Sequence, residues 1–296
     1  MSYLLAQLVN GLSYGLVIGL IAVGFALVFT STGVLNFAHG SIVLLGTYVT
    51  ARFQADLGFI AALGLGIVVA AVVGILINRF LVENLADPTP ATAAILMLGV
   101  DAILLTELVH LIGNNVLPLG APWGADVTQI GGAAVPTSRL IGAGVAVVAL
   151  VLLWLLLTRS SAGVQMRAAA SDGETAGLMG IHVRRTSGTT WAMSGALATI
   201  AGIFLASFPS PGVAPTLSLS ALAAIPAWVI GGFDSVPGAV VGGLLVGVVS
   251  ALATGYETEL FFLGRGFGEV VPYAAMILVL LFRPTGLFGR EEVHRV

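Results

Sequence analysis

A polar interruption near the start of the sequence holds the first residues that could do chemistry. Residues 33–41 read GVLNFAHGS and stand in an otherwise apolar region. An amide and an imidazole could line a polar path at membrane depth, where broken helices expose backbone groups that need polar neighbours. Asn36, His39 and Gly40 are therefore candidates for a solute path. The same stretch also fits a tight turn, with Asn36 or Ser41 as a helix cap and His39 bonded to a carbonyl.

Ionisable side chains also occur within a later apolar segment, at Asp101, Glu107 and His110. An ionisable residue inside the membrane is costly and commonly functional. Asp101 is nearest the middle of its segment, so it is the candidate for the path, with a structural hydrogen bond to another helix as an equal alternative. Glu107 and His110 are three residues apart on one helix face and fit the outer membrane interface.

The sequence lacks the patterns of familiar catalytic and metal sites. Cysteine is absent, which excludes disulfides and thiolate chemistry. Lysine is absent too, so there is no phosphate-binding loop with its lysine, and HExxH does not occur. We therefore expect a chain that is not an enzyme, needs no cofactor or metal and binds no nucleic acid. Any ATP hydrolysis must come from separate subunits.

Membrane helices are the elements that position these residues. The 296 residues are 58% hydrophobic and only 8% charged, against about 25% charged residues in soluble domains. A spanning helix needs about 20 mostly apolar residues. We therefore predict one all-α transmembrane domain over 1–296, a polytopic membrane helix bundle in the lipid bilayer, with eight or nine transmembrane segments and broken or re-entrant helices. The candidate segments are 4–29, 37–53, 57–81, 91–112, 140–158, 187–208, 219–231, 238–254 and 266–282.

Arginine placement indicates how the segments are oriented. With the N-terminus outside and nine crossings, only Arg52, Arg139 and Arg265 lie outside, in accord with the positive-inside rule. Residues 113–136 are rich in Gly, Pro and Asn and are predicted to form an external loop. Residues 159–186 have helical composition with arginines at both ends, which predicts a cytoplasmic loop containing a helix of about four turns.

A second polar break separates the short segment 219–231 from a glycine-rich one. It contains Gly231, Gly232, Pro237 and Gly238. Asp234 could cap the helix that follows, with Pro237 in its first turn. The glycines from 238 to 247 have small-xxx-small spacing, which lets two helix backbones approach closely. We therefore assign this break to helix packing.

Four blocks of the sequence together resemble the permease subunit of high-affinity branched-chain amino-acid ABC transporters. Each block is weak alone, but their order covers nearly the whole chain. The NFAHG form resembles one of the two permease paralogues that pair in this family. The blocks are NGLSYG at 10–15 with GLIAVG at 19–24, NFAHG at 36–40 with GTY at 46–48, Arg167-Ala168 with Asp172, Ala176, Gly180 and Ile181, and Gly231-Gly232 with PGA at 237–239 and LLFRPTGLFG at 280–289.

The resemblance implies partners and residue roles. A second permease subunit, forming a hetero- or homodimer, two cytoplasmic ABC ATPase subunits and an extracytoplasmic substrate-binding protein would complete an importer in the bacterial cytoplasmic membrane. The solute would move inward by alternating access. The loop around 167–181 would contain the coupling helix that seats on the ATPase. Its matching residues are Arg167, Ala168, Asp172 and Gly180, and Arg167, Asp172 and Glu174 would make polar contacts there.

The substrate stays open among small polar solutes. The resemblance favours branched-chain amino acids, and the family also includes permeases similar to those for urea and short amides. A passive channel for urea or ammonia is a different class, which would need no docking helix. An ion-coupled secondary transporter is a third class, with Asp101 as its best support.

Overall fold

The structure is a computed structural model that describes residues 2–86, 89–113, 115–120, 122–124, 126–130, 133–207, 212–257, 259 and 266–289. In this part of the chain the architecture is a bundle of helices joined by short connections. In chain order the helices are α1 Ser2–Thr32, α2 His39–Leu57, α3 Phe59–Leu76, α4 Pro90–Ile112, α5 Thr137–Arg159, α6 Ser161–Ser171, α7 Gly173–Leu178, α8 Val183–Leu205, α9 Leu217–Leu222, α10 Ile225–Gly231, α11 Val236–Gly255 and α12 Phe267–Phe282.

Six helical segments of the described chain are long and apolar enough to cross a membrane. The α9–α10 segment and α12 are apolar but shorter, and α2 carries Arg52, Gln54 and Asp56 near its end. The polytopic helical bundle is confirmed, while eight or nine crossings remain a prediction. The six segments are Tyr3–Thr32, Phe59–Asn84, Pro90–Ile112, Thr137–Arg159, Val183–Leu205 and Val236–Gly255.

Helix α1 lies at the centre of the bundle. About 78% of its spanning window is buried, against 17% for α5. It packs antiparallel to α11 along a glycine seam formed by Gly11, Gly15 and Gly19 on α1 and Gly243 and Gly247 on α11. A Cβ on Gly247 would lie 2.3 Å from the Cα of Gly15, and one on Gly243 would lie 2.5 Å from the Cα of Gly19. The two backbones therefore touch, as small-xxx-small spacing predicts.

The segment 113–136 contains a small sheet that the all-α prediction missed. Strand β1 (Val127–Ile130) pairs antiparallel with β2 (Ala133–Pro136). A signal was present in the sequence, because two short runs separated by two glycines are typical of a hairpin. Leu117 also pairs with Val213, which ties this segment to the chain after α8.

The segment 159–186 forms two short helices where one was predicted. Asp172 is extended, and it ends α6 and begins α7. Helix α7 ends at a left-handed glycine, Gly180, with φ of +83°. The N–H of Ile181 donates back to the carbonyl of Ala176 at 3.0 Å, which is the closure typical of such helix ends.

The break between α10 and α11 is built on close backbone contact. A Cβ on Gly231 would lie 2.2 Å from the carbonyl oxygen of Gly238, so the packing interpretation agrees with the geometry. The cap was predicted wrongly: the hydroxyl of Ser235, not Asp234, accepts the N–H of Gly238 at 3.0 Å. Pro237 does lie in the first turn.

The segment after α12 closes the same break. The backbone N–H groups of Leu287 and Phe288 donate to the carbonyls of Ile230 and Gly231, at 2.8 and 3.0 Å. Gly232, at φ +109°, makes room for this strand-like contact, because a Cβ there would lie 2.5 Å from the nitrogen of Gly289. The end of α10 therefore has partners for carbonyls that a helix end leaves unsatisfied.

Candidate functional site

The connection between α1 and α2 doubles back along α1. His39, the first residue of α2, packs against Gly24, where a Cβ would lie 2.7 Å from the imidazole Nε2. Helix α1 continues from there to Thr32, about 12 Å further at 1.5 Å per residue. The break therefore lies inside the bundle and not at its end. The predicted caps are wrong, because Ala38 precedes α2 and no side chain, neither Asn36 nor Ser41, caps it.

Asn36 and His39 are buried polar groups in the core. Asn36 is 2% exposed and His39 is fully buried. Among the described residues, both amide atoms of Asn36 and the Nε2 of His39 make no hydrogen bond of normal geometry. The Nδ1 of His39 lies 3.4 Å from the hydroxyl of Ser194, which donates to the carbonyl of Gly24 at 3.0 Å. Buried polar atoms are nearly always paired. The three atoms at this break that are unpaired within the described chain are therefore unusual for a protein core.

An aromatic cluster begins next to the imidazole. The ring of Phe25 lies 4.5 Å from that of His39, centroid to centroid, and stacks on Trp228 of α10 at 5.2 Å. The Trp228 indole N–H donates to the carbonyl of Phe233 at 2.9 Å. The two breaks in the fold, before α2 and after α10, therefore share one aromatic cluster.

The other two predicted path residues also lie at this point of the fold. A Cβ on Gly40 would lie 2.6 Å from the carbonyl of Ser218, so α2 and α9 are in backbone contact there. Asp101 of α4 accepts a hydrogen bond of 2.5 Å from the hydroxyl of Ser41. The structural bond that was one alternative for Asp101 is therefore present, and it anchors the half-buried carboxylate to the start of α2.

A polar cavity that sequence reasoning missed lies between α1, α5, α9, α11 and α12. It measures about 630 Å³ and contains both charges and hydroxyls. Arg139, at the start of α5, donates to the amide oxygen of Asn10 on α1 at 2.9 Å. The cavity opens at the end of the bundle where α5 and α12 begin, which is opposite to α6 and α7. The polar residues lining it are Gln7, Asn10, Tyr14, Arg139, Ser220, Ser250, Thr254, Glu269 and Tyr273.

Arg139 and Glu269 were overlooked because each stands at the edge of an apolar segment. In the sequence, Arg139 bears on the orientation of the helices, and Glu269 is a single charge near the start of the last apolar segment. Their common signal is a charge in the first turn of a membrane helix, on α5 and α12. The 130 residues that separate them gave no sign that they line one cavity.

The segment α6–α7 presents its predicted polar residues to solvent. Arg167, Asp172 and Glu174 are exposed, and Ala168 is half-buried. Asp172 is also a helix cap, accepting the N–H groups of Glu174 and Thr175 at 3.1 and 3.0 Å. The Thr175 hydroxyl and then its N–H hold the pKa of Asp172 below the usual 3.8.

Two large apolar side chains stand out next to these polar residues. Leu178 is 85% exposed and Met179 is 80% exposed, at the end of α7. Gly180 follows them and turns the chain back toward α8. Sequence reasoning did not single them out, since they look like ordinary members of an apolar chain. An exposed apolar pair beside a cap is typical of a protein contact.

Long apolar helices around a buried polar break, with an exposed helical segment at one end, define a polytopic membrane transport protein. Residues 7–280 match the family described as branched-chain amino acid transport system / permease component, and the chain belongs to this family. It is therefore a transport subunit of an ABC transporter in the inner membrane and not a catalytic enzyme. Such a permease component works with ATPase and binding-protein partners.

Relatives of this description match nearly the full length. The chain is 31% identical to the high-affinity branched-chain amino acid transport system permease protein LivH of Salmonella typhimurium, over 99% of this chain and 98% of that protein. It is 32% identical to BraD of Pseudomonas aeruginosa, a protein of the same description, over 99% and 98%. A solved structure, PsaBC from Streptococcus pneumoniae in complex with Fab, contains a chain of similar fold, with a TM-score of 0.50 and 18% identity over 93% of this chain and 90% of that chain.

Proposed function

We propose that this protein is the permease subunit of an ATP-driven importer that moves branched-chain amino acids inward by alternating access. The observation that carries the proposal is the match, along 99% of the chain, to permeases described as high-affinity branched-chain amino acid transport proteins. Its complex has a second permease subunit, two cytoplasmic ATPase subunits and an extracytoplasmic binding protein. Residues 1–296 act as one permease domain.

Nine crossings with the N-terminus outside are the proposed topology. The antiparallel seam between α1 and α11 supports the count, because an even number of crossings must then lie between these two helices. The segment 159–186 lies inside, at the end opposite the polar cavity. Segment 113–136, with its hairpin, lies outside. Helix α2, the α9–α10 segment and α12 complete the count, α9–α10 crossing as a broken helix.

We propose that the break before α2 belongs to the translocation path. Support comes from the burial of Asn36 and His39 and from the amide of Asn36, whose two polar atoms have no hydrogen-bond partner among the described residues. Gly40, in contact with α9, and Asp101, bonded to Ser41, link the break to two further helices. A motion of any one of these helices changes what the buried polar atoms face.

We propose that α6 and α7 couple the permease to an ATPase. Arg167, Asp172 and Glu174 supply exposed charges, and Ala168 and Gly180 give the segment its shape. Leu178 and Met179 supply the apolar part of the contact. Cytoplasmic helices that move as rigid bodies are an ordinary route for passing a domain motion into a bundle.

Reconstitution tests the function directly. The four kinds of subunit are placed in proteoliposomes, and uptake of radiolabelled leucine is measured with and without ATP and the binding protein. We expect uptake only when both are present, with competition by isoleucine and valine and none by urea. Uptake without ATP or binding protein identifies a passive channel and ends the importer proposal. ATP-dependent uptake of urea alone ends the amino-acid assignment.

A further inference from the structure

We propose that the polar cavity between α1, α5, α9, α11 and α12 is an acceptor site for a free α-amino acid, in which Arg139 binds the carboxylate and Glu269 the ammonium group. The inference rests on the proposed function, and it deepens it by assigning a recognition site to the permease itself. It places this site at the outer end of the bundle, before the buried break at Asn36 and His39.

The size and position of the cavity are suitable for an initial binding site for the solute. Its volume of about 630 Å³ falls in the range of about 300–1,000 Å³ typical of small-molecule sites. Five helices contribute to its wall, so a change in their arrangement changes the cavity. Helix α9, which supplies Ser220, also touches α2 at Gly40. The cavity is thus connected to the break through one short helix.

The charges of the lining favour a zwitterion. Arg139 on α5 and Glu269 on α12 are both wall residues, and both lie within electrostatic range of Tyr14. A charge in a membrane segment is costly, and such residues typically face a cavity or a partner. The arginine fork matches a carboxylate, and a carboxylate is a natural acceptor for an ammonium group. Urea carries neither charge.

A second, smaller cavity adjoins the first. It measures about 250 Å³ and shares Tyr14, Arg139 and Ser220 with the larger one. Its other walls include the apolar side chains of Val17 and Phe204. An amino acid held at Arg139 therefore has next to it a chamber in which Val17, Phe204 and Leu205 could contact its side chain. This favours aliphatic amino acids over small polar ones.

Equilibrium binding to the assembled transporter tests the site. The complete complex, without binding protein or nucleotide, is held in lipid nanodiscs and titrated with radiolabelled leucine. We expect weak, saturable binding that isoleucine displaces. Leucinamide, which lacks the carboxylate, and 4-methylpentanoate, which lacks the ammonium group, should not displace it. Arg139→Gln and Glu269→Gln should each weaken binding about tenfold or more, the loss expected for one charged hydrogen bond.

Matched variants control for charge. Arg52→Gln and Glu107→Gln remove the same charges from exposed positions that do not line the cavity, and they should bind leucine as the unaltered complex does. The proposal is wrong if leucinamide displaces the label as strongly as leucine does. It is also wrong if Glu269→Gln binds leucine with unchanged affinity. An unaltered complex that binds no leucine yet imports it with ATP and binding protein overturns the site as well. A complex that imports no leucine at all instead overturns the proposed function.

Discussion

The burial of Asn36 without hydrogen bonds is expected to destabilise the fold. The amide of Asn36 is 2% exposed and makes no hydrogen bond among the described residues. Leaving a buried polar group unpaired costs about 1–3 kcal/mol. The amide nitrogen of Asn78, another buried residue, donates to Glu83 at 2.9 Å and to Ser187 at 3.0 Å, and only its amide oxygen lacks a partner among the described residues. The contrast fits a structural role for Asn78 and agrees with the proposed place of Asn36 in the translocation path.

Asn36→Leu is therefore expected to leave the permease as stable as before or to stabilise it by about 1–2 kcal/mol, because it removes the unpaired amide. Transport should fall at least about tenfold. Thermal unfolding in detergent and leucine uptake measure the two effects. Asn78→Leu is the control, and it should lower stability since Glu83 and Ser187 lose a partner. Uptake at the unaltered rate in Asn36→Leu would show that the break is only a turn.

Asp172 is both the cap of α7 and a proposed ATPase contact, and two variants distinguish these roles. As a cap, it needs an acceptor oxygen; as an ATPase contact, it needs its charge. Asp172→Asn keeps the cap and Asp172→Ala loses it. Because the pKa of Asp172 is lowered, the charged cap is fully present above pH 3.8 and is lost only as the pH falls through that lowered pKa.

We expect Asp172→Asn to reduce stimulation of the ATPase while α7 stays folded, since the proposed contact uses the charge. The measurements are ATPase activity and co-purification of the ATPase with the permease. Asp172→Ala should lower both further, because α7 also loses its cap. Full activity in Asp172→Asn together with loss in Asp172→Ala would assign this residue to capping alone.

Among the elements, the pairing of α1 with α11 requires small side chains along both helices. Gly247→Ala puts a methyl group 2.3 Å from the Cα of Gly15, so the helices must separate. We expect a loss of about 1–3 kcal/mol in stability. Gly144→Ala, on α5 with no atom within 4 Å of its Cβ position, should not lower stability and should raise it by up to about 1 kcal/mol, since alanine is the better helix former. Denaturant unfolding of both variants checks this, and equal stabilities would argue against the seam.

Sequence reasoning located the elements well where apolar runs determined them. The starts of α4 and α11 and the end of α12 fall within two residues of the predicted segments. Local signals failed where tertiary contacts decide. Asn36 and Ser41 are good capping residues, yet the buried amide of Asn36 makes no capping bond and the hydroxyl of Ser41, already inside α2, donates to Asp101. Ser235 caps α11 where Asp234 was expected. Both are capping residue types and they are adjacent in the sequence, so residue type alone does not distinguish them.

At the scale of the whole molecule, the candidate site has two levels, an outer cavity and a buried break. Only the break was visible in the sequence, as a polar stretch of consecutive residues. The cavity was not, because its wall residues come from five helices, each contributing a few side chains from its edge. A sequence shows what each helix carries, and the packing of the bundle determines which of these residues meet.

Alternating access requires the outer end to change shape, and the absence of cysteine makes this testable. Leu117 and Val213 are cross-strand partners with two backbone hydrogen bonds, a separation that suits a disulfide. We expect the double variant Leu117→Cys, Val213→Cys to lose most uptake when oxidised and to regain it on reduction. Each single variant is the control. Full uptake with complete cross-linking would show that this end stays fixed.

The glycine seam also has a consequence for how the chain is made. Gly15 and Gly243 meet in the seam, but 228 residues separate them, which a ribosome adds in roughly 10–45 s. During that interval the most buried helix of the protein has entered the membrane without its main partner. Assembly is therefore completed late, and a nascent chain that stops before α11 presents the bare face of α1 to chaperones and proteases.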